Sequence, residues 1–260
     1  MTVYNRTLEG QLNDILTILG TTKRSLWPFW ERYGELVTCI GVGDLIPSET
    51  GGVPEDLGDD FAPIAIGAAW GNLYSYHFHP TGDHHLAGID HADYSFVAAP
   101  FSVGAWIRPT TIASNVILAK YDAGVGVARE YRFWIDAAGH LNLELYDEDV
   151  DTTWITNQNG TIVPGQMQFV VATYDGVLVT PTITLYVNGV AVAKTDTETG
   201  AFVDMEAGVT PLTIGCQGLT ALPANEFHGR IALPFLTGKC LIAAEVAELY
   251  AITSPLVGLC

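Results

Sequence analysis

The sequence predicts an all-β protein, a two-sheet antiparallel sandwich with a helical extension at its N-terminus. Three observations carry that expectation. From Gln166 to Ala193 apolar and polar residues alternate with a period of two, and Asn188-Gly189 splits two of the runs. An Asn-Gly pair between alternating runs marks a tight hairpin, because a type I′ turn needs positive φ at both central residues. The 260 residues hold 27 glycines and 13 prolines with only 15% charged residues, a balance that suits turns and strands better than helices. Many short strand-like runs follow one another, separated by YDAG (Tyr121 to Gly124), DAAG (Asp136 to Gly139) and NQNG (Asn157 to Gly160).

In chain order, Arg6 to Thr22 reads as a helix. Leu8, Leu12, Ile15 and Leu19 form an apolar stripe at four-three-four spacing, and Gly20 suits the helix end. Leu26 to Trp30 (LWPFW) follows, in which Pro28 forbids a helix interior while Trp27, Phe29 and Trp30 offer large areas for burial. Gly41 to Asp60, rich in Gly, Pro and acid, reads as a linker. These features predict an assembly and attachment segment over 1–60 and a sandwich over 61–260. A stripe this short does not hold a helix in water unaided, so either its own sandwich or neighbouring subunits must cover it; neighbouring subunits, most simply in a homotrimer, are expected. From Phe61 onward strands are expected at 73–79, 101–107, 115–120, 130–135, 141–146, 152–156 and 212–216. Ile183, Leu185 and Val187 should point between the sheets, with Trp106 buried near them.

Charge and composition exclude several function classes. A net charge of −18 opposes nucleic acid and anionic membrane surfaces, both of which need clustered Lys and Arg. No apolar run reaches the length of a membrane span. Thr7 to Gly20 is amphipathic, unlike a signal peptide. Cys39, Cys216, Cys240 and Cys260 show no zinc spacing and read as unpaired thiols.

The string VVATYDG followed by ITLYVNGV resembles the central motif of the laminin-G-like jelly rolls within the concanavalin A-like lectin/glucanase superfamily. Gly82 to Pro109 resembles the opening strands of that family, and FHGRI (Phe227 to Ile231) with AAEVAELY (Ala243 to Tyr250) resembles its last strand and closing helix. The resemblance implies a jelly-roll sandwich. It also implies a calcium site with acidic side chains near the opening strand, where Asp83 and Asp90 stand, and an acidic pair in the last strand. Ala232 and Leu233 occupy that pair's positions, so no cofactor is expected.

His77, His79, His84, His85 and His91 crowd one stretch; His77 and His79 share a strand face and are the imidazole candidates for zinc or nickel, set against ordinary strand and loop histidines. Asp147, Asp149 and Asp151 alternate in an acidic loop without the spacing of an EF-hand. The paired carboxylates of the family's glycosidases have no match, since Tyr146 stands where an Asp is needed, so no enzyme activity is expected. Trp134 and Trp154 are candidate platforms for a sugar ring, set against burial in the core.

Sandwiches of this kind usually work outside cells, and this chain shows no export signal. A virion subunit made in a host cytoplasm reconciles the two: a non-catalytic capsid decoration, spike or tail-fibre component docked on other virion subunits, with a cell-surface glycan as ligand. The alternatives are a carbohydrate-binding adhesin exported without a classical signal and a glycan hydrolase.

Overall fold

The computed structural model describes residues 8–27, 39–41, 46–48, 75–78, 84–124, 129–178, 180–219 and 224–257. It is a sandwich of two antiparallel sheets, as the alternation and turn chemistry predict. In chain order the elements are α1 (Leu8–Leu19), β1 (Ser25–Leu26), β2 (Ile40–Gly41), β3 (Ile46–Ser48), β4 (Tyr76–Phe78), β5 (His85–Ala87), β6 (Phe101–Pro109) and β7 (Asn115–Tyr121). Then come β8 (Arg129–Ile135), β9 (Leu141–Asp147), β10 (Thr152–Gln158), β11 (Gln168–Tyr174), β12 (Ile183–Val187), β13 (Val190–Ala191) and β14 (Lys194–Thr199). β15 (Thr213–Ile214), β16 (Gly229–Thr237) and α2 (Ala243–Thr253) follow, and a short 3-10 turn at Ser254–Val257 ends the described chain.

The first sheet runs β13-β12-β11-β6-β16-β1-β2, with β4 also paired to β16. The second runs β14-β10-β9-β8-β7-β15-β5-β3. Asn188 and Gly189 sit at φ 51° and 78°, the turn that the Asn-Gly pair predicts between β12 and β13. Phe101, Val103, Phe133, Leu143, Val170 and Leu185 meet between the sheets in the main core. Ile183 and Leu185 are fully buried there and Val187 packs at its margin, as the period-two reading requires. Leu185→Ala should therefore cost about 2–5 kcal/mol through lost burial and a cavity. Equilibrium denaturation that shows no change would place this strand in another register.

Trp106 is buried, but not beside Leu185. Its neighbours Ala105 and Ile107 point into the main core, so alternation sends the indole to the outer face of the first sheet. There Trp106 stacks on Tyr250 of α2 at 5.6 Å and donates its Nε1 proton to Thr253 Oγ1 at 2.8 Å.

The same outer face explains the N-terminal stripe. Leu12, Ile15 and Leu19 are buried with Leu26, Trp106, Val171 and Phe235 of their own chain. The helix end is capped by that chain too. Thr237 Oγ1 donates to Leu19 O at 2.6 Å, Lys239 Nζ to Ile18 O at 3.0 Å, and Arg24 Nη1 to the carbonyls of Leu16 and Gly20. Satisfying orphan carbonyls with two cations at the negative end of the helix fixes α1 on the sandwich. β1 joins the first sheet through Ser25–Leu236 and Leu26–Phe235, and Trp27 is fully buried in the main core beside Tyr94.

Two expectations are thereby corrected. Residues 8–27 belong to the sandwich rather than to a segment ending at 60, and β3 at 46–48 pairs with β5. The stripe of Leu12, Ile15 and Leu19, with Trp27, is covered by its own subunit, so it offers no argument for a trimer or for docking on other virion subunits. The reason is geometric: an amphipathic helix needs an apolar surface but does not specify whose. The side chain of Leu8, and Phe29 and Trp30, lie outside the described residues. No helix among the described residues is long and apolar enough to cross a membrane.

Candidate functional site

The outer face of the second sheet gathers polar and aromatic groups. Register stacks its side chains in rows that cross the strands. One row is Thr195, Asn157, Asn142, Trp134 and Val116, from β14 to β7. The next is Thr197, Ile155, Glu144, Arg132 and Ala119. A third brings Thr199, Thr153 and Tyr146 beside Arg129 and Tyr121. Burial grades along the rows: Val116 and Ala119 are sealed, Trp134 and Arg132 are half-buried, and Thr195 and Thr197 are open. The result is a shelf closed at β7 and open at β14.

Arg132 organises the shelf. Its Nε and Nη2 each reach Glu144 Oε2 at 2.6 Å, and Nη1 donates to Gln217 Oε1 at 2.7 Å. Its guanidinium carbon stands 4.2 Å from the Trp134 ring centre and 4.9 Å from that of Tyr121. Arg129 repeats the pattern with a two-pronged pair to Glu148 at 2.6 and 2.8 Å, its carbon 3.8 Å from the Tyr146 ring centre. Such bidentate, stacked arginines are rigid and preorganised.

The electrostatics follow from the burial. Removal from water raises the carboxyl of Glu144 above its usual range although Arg132 pulls the other way. Burial, helped by the charge of Glu144, pushes the Tyr121 phenol up to about 12. Burial and the hydrogen bond to Asp151 raise Tyr146 as well. Both phenols stay protonated donors across the physiological range.

Of the two candidate platforms, Trp134 stands on this shelf. Trp154 does not: it is the inward partner of Leu145 on β10 and packs against the main core. No sugar can stack on it from the sheet face. Sequence reasoning missed Arg132, Tyr121, Tyr146 and Gln217, although the alternation in REYRFWI already put Arg132 and Trp134 on one face.

Of the proposed metal ligands, the two described ones, His77 and Asp90, stand on different sheets. His77 lies on β4 of the first sheet, directly opposite Arg230, where a cation would meet a guanidinium. Asp90 lies beyond β5 of the second sheet and accepts from Lys120 Nζ at 3.0 Å. His79 and Asp83 lie outside the described residues. Ala232 and Leu233 are buried on the outer face of the first sheet, so the last strand offers no carboxylate there. The acidic loop instead contributes Asp147 to a group with Asp204 and Glu206, whose ligating oxygens lie within 4.8 Å of one another. In that group Asp147 Oδ2 accepts from Val203 N at 2.9 Å and Glu206 Oε2 from Glu148 N at 2.6 Å, so these carboxylates already bind two loops together.

Residues 82–247 match the family model described as the concanavalin A-like lectin/glucanases superfamily. The chain belongs to that superfamily. No curated protein matches it. Among solved structures it is similar to a Trypanosoma rangeli sialidase mutant displaying trans-sialidase activity (TM-score 0.59, 12% identity, 97% of this chain and 38% of that one). It is similar also to the binding domain of botulinum neurotoxin DC in complex with SialylT (TM-score 0.57, 14% identity, 90% and 52%). A third is domain 4 of the arabinanase AbnA from Geobacillus stearothermophilus, in complex with arabinotriose (TM-score 0.51, 14% identity, 79% and 88%). The chain thus spans about four tenths of that sialidase and about half of the toxin domain. At these identities the likeness is one of fold.

Proposed function

We propose that this protein is a non-catalytic glycan-binding module and that the shelf around Trp134 and Arg132 holds the sugar. One observation carries the reading: the rows place an aromatic ring, two fixed phenols, amides and threonine hydroxyls on one half-open surface. Sugars present apolar ring faces and rings of hydroxyls, so an aromatic platform bordered by fixed donors and acceptors suits them. The ligand is neutral where it meets this face. Both arginines spend their edges on carboxylates and their planes on aromatic rings, leaving no cation among the described shelf residues for an acidic sugar.

Hydrolysis needs one carboxyl to donate a proton and another to act as base or nucleophile. Glu144 and Glu148 are each held by an arginine, which supports binding without turnover. A virion role rests on the missing export signal and on an N-terminal stripe free to dock; the glycan-binding reading, shared with the adhesin alternative, needs neither.

The test is a panel of neutral oligosaccharides titrated calorimetrically. A binder should appear, remain uncleaved, and lose about tenfold or more in affinity in Trp134→Ala, the usual scale for a central aromatic anchor. Trp154→Phe should leave the affinity unchanged. A panel without a binder, or a Trp134→Ala variant that binds as the parent does, defeats the assignment.

A further inference from the structure

With the shelf taken as the sugar site, we infer that Asn157 and Thr195 at its open end act as paired hydrogen-bond acceptors, which select a ligand by two neighbouring free hydroxyls. The two residues are direct cross-strand partners on β10 and β14, in the row that also carries Asn142 and Trp134. Asn157 is half-buried and Thr195 is exposed. Directly opposed residues of an antiparallel pair hold their Cα atoms about 4.5–5.5 Å apart, so one sugar ring can reach both.

An amide side chain can turn either its oxygen or its NH2 group to a neighbour, and the partners decide which. Asp136 Oδ1 accepts from Ala138 N at 2.8 Å and from His140 N at 2.9 Å, and its Oδ2 lies 3.1 Å from His140 Nδ1. Burial opposes ionisation of Asp136, but the donations from His140 and Ala138 outweigh it and lower its pKa. Asp136 therefore meets Asn157 as a pure acceptor, and Asn157 Nδ2 donates to its Oδ2 at 3.1 Å. Asn142 is set independently: its Nδ2 donates to His140 O at 2.7 Å, which leaves its Oδ1 for Asn157. Asn157 Nδ2 donates to that oxygen at 2.8 Å. Both protons of the Asn157 amide are thus spent on fixed acceptors, and a flip would set oxygen against oxygen twice. Its Oδ1 has no donor among the described residues. Thr195 reaches the same state, because its hydroxyl proton goes to Asn159 Oδ1 at 2.8 Å. Toward a ligand its Oγ1 offers only lone pairs. In a neutral sugar the hydroxyls donate, whereas ring and glycosidic oxygens only accept. A ligand that meets the pair with ether oxygens leaves two acceptors unpaired, which a site built on hydrogen bonds penalises.

The test titrates maltotriose, cellotriose, mannotriose and xylotriose calorimetrically into the full chain, each beside its fully O-methylated form. Methylation keeps the ring faces and ether oxygens and removes every hydroxyl donor. At least one free trisaccharide should bind, and its methylated form should bind about tenfold or more weakly. Asn157→Ala should weaken the free sugar about three- to tenfold, the scale of one lost hydrogen bond, and spare the methylated one, so that the ratio between them narrows. Thr195→Val, an exposed change of nearly equal shape, should narrow the ratio in the same direction and decides the matter if Asn157→Ala does not fold. Trp134→Ala should weaken both forms, since the aromatic platform meets the ring face. Binding that depends on Trp134 while methylation costs nothing, or while neither variant narrows the ratio, overturns the acceptor pair and leaves the shelf standing. A set in which no sugar binds, or in which Trp134→Ala changes nothing, overturns both.

Discussion

Deleting residues 1–60 is expected to unfold the sandwich rather than release it. The deletion removes α1, β1 and Trp27 together. Trp27 is fully enclosed in the main core, and losing a buried tryptophan side chain alone costs about 3–5 kcal/mol. Leu12, Ile15, Ile18, Leu19 and Leu26 are buried on the outer face of the first sheet. Each contributes roughly 1.5–3 kcal/mol by burial, and their loss bares apolar surface around Val171 and Phe235. The edge of β16 also loses its pairing at Leu236 and Phe235. Domains are stable by only about 5–15 kcal/mol, so these losses exceed what the fold has to spare. Circular dichroism and gel filtration of a 61–260 fragment check it. A soluble fragment with the native spectrum and the parent's melting temperature would return the N-terminus to the role of a separable arm. Trp27→Ala in the full chain gives the graded version, a clear drop in melting temperature without loss of the native spectrum.

The strands were legible where one face is apolar and the other is not. β7 to β12 each carry that alternation or a turn signature at their ends, and all were located from residues alone. β14 was not, because KTDTET has no apolar face: it is an exposed edge, held by pairing with β10. Charged and polar residues on such an edge discourage pairing with other chains, which hides it from any search for hydrophobic period. The N-terminal stripe showed that α1 must be covered. What covers it comes from β16 and the C-terminal helix, more than two hundred residues away, and no local pattern encodes that contact. The same limit governs the shelf. Residue type singled out Trp134, but the rows depend on register across β14, β10, β9, β8 and β7, including bulges near Val116 and Lys120 that shift the pairing. The acidic group of Asp147, Asp204 and Glu206 likewise joins residues far apart in the chain.

Lys120→Met should be among the most damaging single substitutions at neutral pH and much milder in acid. Lys120 has no solvent exposure, and its Nζ lies 2.7 Å from Glu130 Oε1, itself buried, and 3.0 Å from Asp90 Oδ1. It also donates to the carbonyls of Gly208 and Thr210 at 2.8 and 2.9 Å, which ties the loops around 90 and 209 to the sheet. Glu130 Oε1 accepts further bonds from Ser95 Oγ and Gly208 N, while Oε2 is buried with no partner among the described residues. Removing one member of a buried pair costs about 3–5 kcal/mol, because the remaining charge stays in a poor solvent. Burial already outweighs the pull of Lys120 and raises Glu130 from 4.5 to about 6. A carboxyl whose folded pKa lies above its unfolded one binds its proton more tightly when folded. Its contribution is fully present below about pH 4.5 and is lost as pH rises through about 6. Between pH 7 and pH 5 this group should therefore add about 1 kcal/mol of stability to the parent, and add none in Glu130→Gln. Without Lys120 the carboxyl loses its attraction and rises further, so the variant should recover more than the parent does on acidification. The double variant Lys120→Met/Glu130→Gln should be more stable at pH 7 than Lys120→Met alone, since no buried charge is stranded. Denaturant titrations of the four proteins at pH 5 and pH 7 decide it. A Lys120→Met variant that loses less than about 1 kcal/mol at pH 7, or loses the same amount at both pH values, shows that Glu130 is not the group left in the wrong solvent.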